Sequence, residues 1–88
     1  MITKGSLVIS NKGHDTGRIY FVLKTEGEFA WCVDGKYRVL ENPKKKRIKH
    51  LKNLFVVAQN LLEKLDGNVL YDYEIASFIK KESIVHKV

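Results

Sequence analysis

The sequence predicts a mainly β domain: a small five-stranded barrel with an α-helical appendage at its C-terminal end. Three observations predict it. Short runs rich in β-branched and aromatic residues follow one another from Ser6 to Leu54, separated by glycine-bearing turns with no helical period between them. From residue 55 onward leucines and isoleucines instead fall at helical spacing. The chain has 88 residues, enough for one domain with one core, so strands and helices have to share it. The expected division is a barrel over residues 1–54 and a helical extension packed on it over residues 55–88.

Ser6-Leu7-Val8-Ile9-Ser10 is short, β-branched and bounded by Gly5 and Asn11-Lys12-Gly13, which reads as a strand. Gly13-His14-Asp15-Thr16-Gly17 is a tight loop, and Gly17 is the position expected to need positive φ. In such a loop Asp15 is expected to accept hydrogen bonds from nearby backbone N–H groups. Arg18 to Lys24 is the strongest strand. It is apolar on both faces, with Ile19, Phe21 and Leu23 on one and Tyr20 and Val22 on the other, so it needs cover on both. Phe29 to Val33 follows the turn at Thr25-Glu26-Gly27-Glu28. Asp34-Gly35 is a hairpin signal, which makes Tyr37 to Leu40 the expected return strand, closed by Pro43. Ile48 to Leu51 is the expected last strand.

Beyond it, Leu61, Leu62 and Leu65 mark a helix from Val57 to Leu65, stopped by Asp66-Gly67-Asn68. Asp72 is the expected N-cap of a second helix running to about Glu82, with Ile75, Phe78 and Ile79 as its apolar stripe. Ser83 to Val88 is expected to fray.

Net charge is +6, unevenly spread. Residues 1–52 hold twelve Lys and Arg against five acids, whereas residues 53–88 hold four Lys against five acids. A basic half beside a near-neutral half points to a polyanion as partner. Pro43-Lys44-Lys45-Lys46-Arg47-Ile48-Lys49-His50-Leu51-Lys52 concentrates that charge without an acid. The bland alternatives are a solvated loop or a nuclear import signal. The flanking strand-like residues favour a strip presented in order, in which alternation lets about half the cations face one way.

Cys32 is the lone cysteine, so an intrachain disulfide and a cysteine-based zinc site are excluded. His14, His50 and Cys32 match no zinc spacing, and no carboxylate pair or nucleophile–base motif stands out. Gly13-x-x-x-Gly17 lacks the Lys-Ser/Thr ending of a P-loop. The reading is therefore of a protein that is not an enzyme and uses no metal or cofactor. The N-terminus has no apolar run like a signal peptide and nothing approaches a membrane span, which sets a cytoplasmic expectation.

Residues 5–24, from Gly5-Ser6-Leu7-Val8-Ile9 through Gly13-His14-Asp15-Thr16-Gly17 to Arg18-Ile19-Tyr20-Phe21-Val22-Leu23-Lys24, resemble a KOW motif. Asp34-Gly35-Lys36-Tyr37-Arg38, followed by Pro43-Lys44-Lys45-Lys46 and Lys49-His50-Leu51, narrows the resemblance. The chain over residues 4–52 is similar to KOW-domain RNA-binding proteins related to the large-subunit ribosomal protein of the fourteen-e type. His14 and Thr16 depart from the basic residues usual in that loop. The resemblance implies an SH3-like barrel, a translation or ribosome association, RNA (ribosomal RNA foremost) and neighbouring ribosomal proteins as partners, and no catalysis.

The expected RNA-binding residues are Lys36, Tyr37, Arg38, Lys44, Lys45, Lys46, Arg47, Lys49, His50 and Lys52. Tyr37, between two cations, is the expected base-stacking residue, while most strand aromatics are expected to fill the core. A monomer that touches no membrane is expected. The alternative function is a protein–protein interaction module of the transcription or translation machinery.

Overall fold

Four runs rich in apolar residues and one basic run build five strands: β1 (Ser6–Ser10), β2 (Ile19–Glu26), β3 (Phe29–Val33), β4 (Lys44–Arg47) and β5 (Leu51–Val57). A 3-10 turn at Ile48–His50 links β4 to β5, and helices α1 (Gln59–Asp66) and α2 (Asp72–His86) follow. The computed structural model describes residues 1–86. The last two positions of the expected fraying segment and of the 55–88 extension lie outside them.

All strand pairs are antiparallel, in the order β4-β3-β2-β1-β5. β4 and β5 are the two edges of this ladder and do not pair with each other, so a ring is not completed by hydrogen bonds between them. β5 runs on to Val57, past the expected boundary at residue 54. Near its end Phe55 holds φ at 59° and its N–H donates to Asn53 Oδ1 at 2.7 Å, where the β1–β5 register is irregular.

The two-sided apolar strand is covered on both sides. Leu7, Phe21 and Val33 face the helices and pack with Ala58, Leu61 and Ile75. Val8, Tyr20, Val22, Ala30, Cys32 and Leu51 form a second cluster on the opposite face. A strand buried on both faces carries a near-continuous apolar run, which is what residues 19–23 show. The stripe expected on α2 docks as read: Ile75 is fully buried, and Phe78 and Ile79 pack partly buried beside it.

Two local readings are corrected. Tyr37 to Leu40 forms no strand. Asp34 Oδ1 accepts the N–H groups of Lys36, Tyr37 and Arg38 at 2.8–3.0 Å, while the N–H groups of Asp34 and Gly35 both donate to the Arg38 carbonyl. The N–H groups of Tyr37 and Arg38 go to Asp34 and that of Leu40 to Asp72, which leaves too few donors for a ladder. The basic segment takes the vacated place beside β3 as β4. Likewise Ile48–His50 is a 3-10 turn, and the last strand starts only at Leu51.

Asp72 also differs from expectation. It is the first residue of α2, and its carboxylate accepts the Leu40 N–H at 2.8 Å, tying the 34–43 loop to the helix. The capping contact comes from Glu74, which reaches back to the Tyr71 N–H in half of a capping box.

Candidate nucleic-acid interface

Strand period sorts the four cations of β4 into two pairs. Lys45 and Arg47 point to the helix-bearing side of the sheet, beyond the area the helices cover. There β3 presents Phe29 and Trp31, both half-buried, where its other end presents the buried Val33. The register sets Lys45 opposite Trp31 and Arg47 opposite Phe29, with Lys24 of β2 opposite Trp31 from the other side. Lys24 Nζ stands 4.4 Å from the Trp31 ring centre and Lys45 Nζ 5.4 Å from it. Lys45 Nζ is also 4.4 Å from the Phe29 ring, with the Arg47 guanidinium at 5.0 Å. All lie within cation–π range, so the rings order three long side chains that would otherwise sample many rotamers. Arg47 also meets Glu28 at 3.4 Å in an exposed ion pair that contributes little.

Lys44 and Lys46 point to the opposite face, toward Asp15. Lys46 Nζ donates to Asp15 Oδ1 at 2.8 Å, to Ser10 Oγ at 2.8 Å and to the Lys12 carbonyl at 3.0 Å. Ser10 Oγ donates to the same Oδ1 at 2.8 Å, Tyr20 Oη donates to Oδ2 at 2.6 Å, and Lys44 Nζ lies 3.3 Å from Oδ2. Burial by itself would raise the Asp15 pKa. The donors from Lys46, Tyr20 and Ser10 outweigh it and hold the carboxyl well below the usual range. Burial and the Asp15 charge push the Tyr20 phenol up, keeping it a donor. Lys46 is 8% exposed with its ammonium fully engaged, which removes it from the expected RNA-binding surface. Asp15 bonds side chains rather than the loop backbone expected of it.

The remaining expected residues fall in two further places. At the 3-10 turn, Lys49 is exposed and His50 half-buried, and the His50 carbonyl accepts the Asn11 N–H at 3.0 Å, bringing the 11–17 loop alongside. Burial, and then the charges of Lys12, Lys49, Lys46 and Arg47, lower the His50 pKa. Lys52 is exposed on β5. In the 34–38 loop, Tyr37 stands out with Arg18 at 4.4 Å and Lys36 at 5.3 Å from its ring, while Arg38 is half-buried.

The ten expected residues thus do not make one strip. Lys45 and Arg47 join Lys24, Phe29 and Trp31; Lys49 and His50 join Lys12; Lys36 and Tyr37 join Arg18. The sequence reading passed over Lys24, Phe29, Trp31 and Arg18 as site residues. The signal was present: Phe29 and Trp31 alternate with the small, buried Ala30 and Cys32, so the large rings share one face.

Cys32 is fully buried, and burial pushes its thiol up to about 12, so it stays protonated and serves packing. Among the described residues no three His, Cys, Asp or Glu side chains group as a metal site, and no helix is long and apolar enough to cross a membrane. No protein-family model and no curated protein sequence matches the chain.

Proposed function

We propose that the protein binds RNA without acting on it chemically, as an SH3-like KOW-type domain working on or near the ribosome. Lys24, Lys45 and Arg47, held over Phe29 and Trp31, meet the phosphates. Lys12, Lys49 and His50 carry the positive surface round the 3-10 turn. The observation that supports this most is the layer of three cations ordered over two rings on one sheet face. Polyanions gain affinity by releasing counterions at such a layer. The five-stranded antiparallel order and the KOW-like run over residues 5–24 support the family reading. Recognition would rest on phosphate and shape more than on base edges.

The test is a salt titration of the Lys24→Gln, Lys45→Gln, Arg47→Gln triple variant on single-stranded RNA. Three phosphate contacts give a slope of roughly −2 in log affinity against log salt, and the variant flattens the slope by about that amount. All three side chains are exposed, so melting should hold nearly constant. Equal affinity of parent and variant at every salt concentration would reduce the layer to a solvated face.

One observation favours a protein partner as a second reading. Phe55 and Val57 are 85% and 53% exposed near the end of β5, an apolar pair that the surface of a partner protein can cover.

A further inference from the structure

A second concave surface lies at the other end of β2 and β3 from the cation layer. Its floor is Ile19 of β2 and Ile79 of α2, and its wall is Tyr37. Arg18, Lys36 and Lys80 stand around it. The groove has a volume of about 420 Å³, within the size range of small-molecule sites. Tyr37 is 64% exposed, so a ring that looks like core material in sequence is held outside the core. The loop that holds it is rigid by construction: three N–H groups converge on Asp34 Oδ1, and Leu40 is tied to Asp72. Asp34 Oδ2 lies 3.8 Å from Arg18 Nε and is offset by it.

An apolar floor, an upright aromatic wall and three cations at the rim match one chemistry: a planar ring joined to a negative charge. We infer that this groove receives one unpaired nucleotide of single-stranded RNA. Its base packs against Tyr37 and the Ile19–Ile79 floor, and its phosphate meets Arg18, Lys36 or Lys80. Planar bases stack on tyrosine rings and arginine guanidinium planes alike, and Arg18 over Tyr37 supplies both. The groove and the cation layer lie at opposite ends of the same two strands on the helix-bearing side. Trp31 and Asp34 are three residues apart, on the order of 10 Å along an extended strand, so one strand of RNA is long enough to touch both. The inference rests on the RNA-binding reading and adds a strand-selective site to it.

The experiment measures binding of a fluorescein-labelled six-nucleotide single-stranded RNA and of a blunt RNA duplex. The proteins are the parent, Tyr37→Ala, Tyr37→Phe and the Lys24, Lys45, Arg47 glutamine variant, with thermal melts on each. Tyr37→Ala is expected to weaken the single strand roughly five- to a hundredfold, leave the duplex unchanged and leave the salt slope intact. Tyr37→Phe should keep parent affinity. A Tyr37→Ala protein that binds the single strand like the parent, while the glutamine variant loses it, overturns the groove but spares the RNA-binding reading. Loss with Tyr37→Ala alone supports the groove and overturns the role of the cation layer. A parent that binds neither RNA overturns both. Titration of adenosine monophosphate, followed at the Ile79 methyl resonance, separates a strand from a free nucleotide. Saturation at concentrations where the six-mer also saturates would make the occupant a free nucleotide and overturn the assignment to RNA.

Discussion

At Asp15 four side-chain donors converge on one carboxylate, two of them ammonium groups from β4. The arrangement ties the 11–17 loop to an edge strand through charge rather than through backbone. Removing one partner strands the other: Asp15→Asn leaves the Lys46 ammonium buried without its counter-charge and should cost about 3–5 kcal/mol. Adding Lys46→Met to it should recover part of that loss, a coupling that a double-mutant cycle in urea reads directly. Asp15 has a folded-state pKa below its unfolded value of 3.8. Its stabilising contribution is therefore complete above that pH and lost as the pH falls below it. Acid unfolding of Asp15→Asn should be correspondingly less steep in that window. None of this was legible in the sequence, because Asp15 and Lys46 are separated by 31 positions and only the sheet register brings them together. Sequence reasoning sees a turn aspartate and assigns it local backbone partners, which is the usual outcome for such a residue.

The 34–43 loop is the element that decides where the basic segment goes. Gly35 holds φ at +79°, and a Cβ there would come 2.2 Å from the Asp72 carbonyl oxygen and 2.7 Å from the Ala76 nitrogen, both backbone of α2. Gly17 holds φ at +93° with nothing within 4 Å of its would-be Cβ. The two glycines separate backbone strain from close packing. Gly17→Ala should cost about 1–2 kcal/mol from strain alone, and Gly35→Ala about 2–4 kcal/mol from strain plus overpacking against the helix. Chemical denaturation of the two variants checks the order; equal losses would mean the helix does not press on the loop. The positive φ at Gly17 was legible because a reversal within five residues needs it. The strands at 6–10, 19–26 and 29–33 were legible from their apolar runs, and the α2 stripe from its spacing. The pairing of β3 was not, since Asp34-Gly35 signals a hairpin equally well whether or not the aspartate consumes the donors of the returning chain.

Across the whole molecule, charge gathers where the 11–17 loop, the 3-10 turn and β4 meet, and His50 senses it. Its pKa is lowered in the unbound protein by burial and then by Lys12, Lys49, Lys46 and Arg47. A polyanion laid over these cations offsets their repulsion and raises that pKa, so binding takes up a proton. Affinity for RNA at fixed salt should therefore rise as the pH falls toward the lowered pKa of the free protein, by up to about tenfold for each unit that binding raises the pKa. His50→Gln should abolish most of that rise while leaving affinity at pH 8 near the parent value. A pH dependence identical in parent and variant would place His50 away from the bound chain. At this scale the uneven charge of the two halves was readable from composition. Its division between an outward layer and an inward network was not, because alternation tells which cations share a face but not which face is buried.

The two edges of the ladder bear on how copies of the protein treat one another. An edge strand offers bare N–H and C=O groups to any neighbour able to zip onto it, the first step toward insoluble stacks. β4 is Lys-Lys-Lys-Arg, and although Lys44 and Lys46 turn to Asp15, the exposed Lys45 and Arg47 of two copies meeting there would bring four like charges together. On the proposed reading, Lys45 and Arg47 would both meet phosphate and keep this edge solitary. β5 has no such guard at its far end, where Phe55 and Val57 lie open. Its protection is geometric: the positive φ at Phe55 breaks the regular extension a second strand would need to follow. A bound polyanion neutralises the first safeguard and leaves the second untouched, so crowding of protein along a saturated RNA would begin at β4.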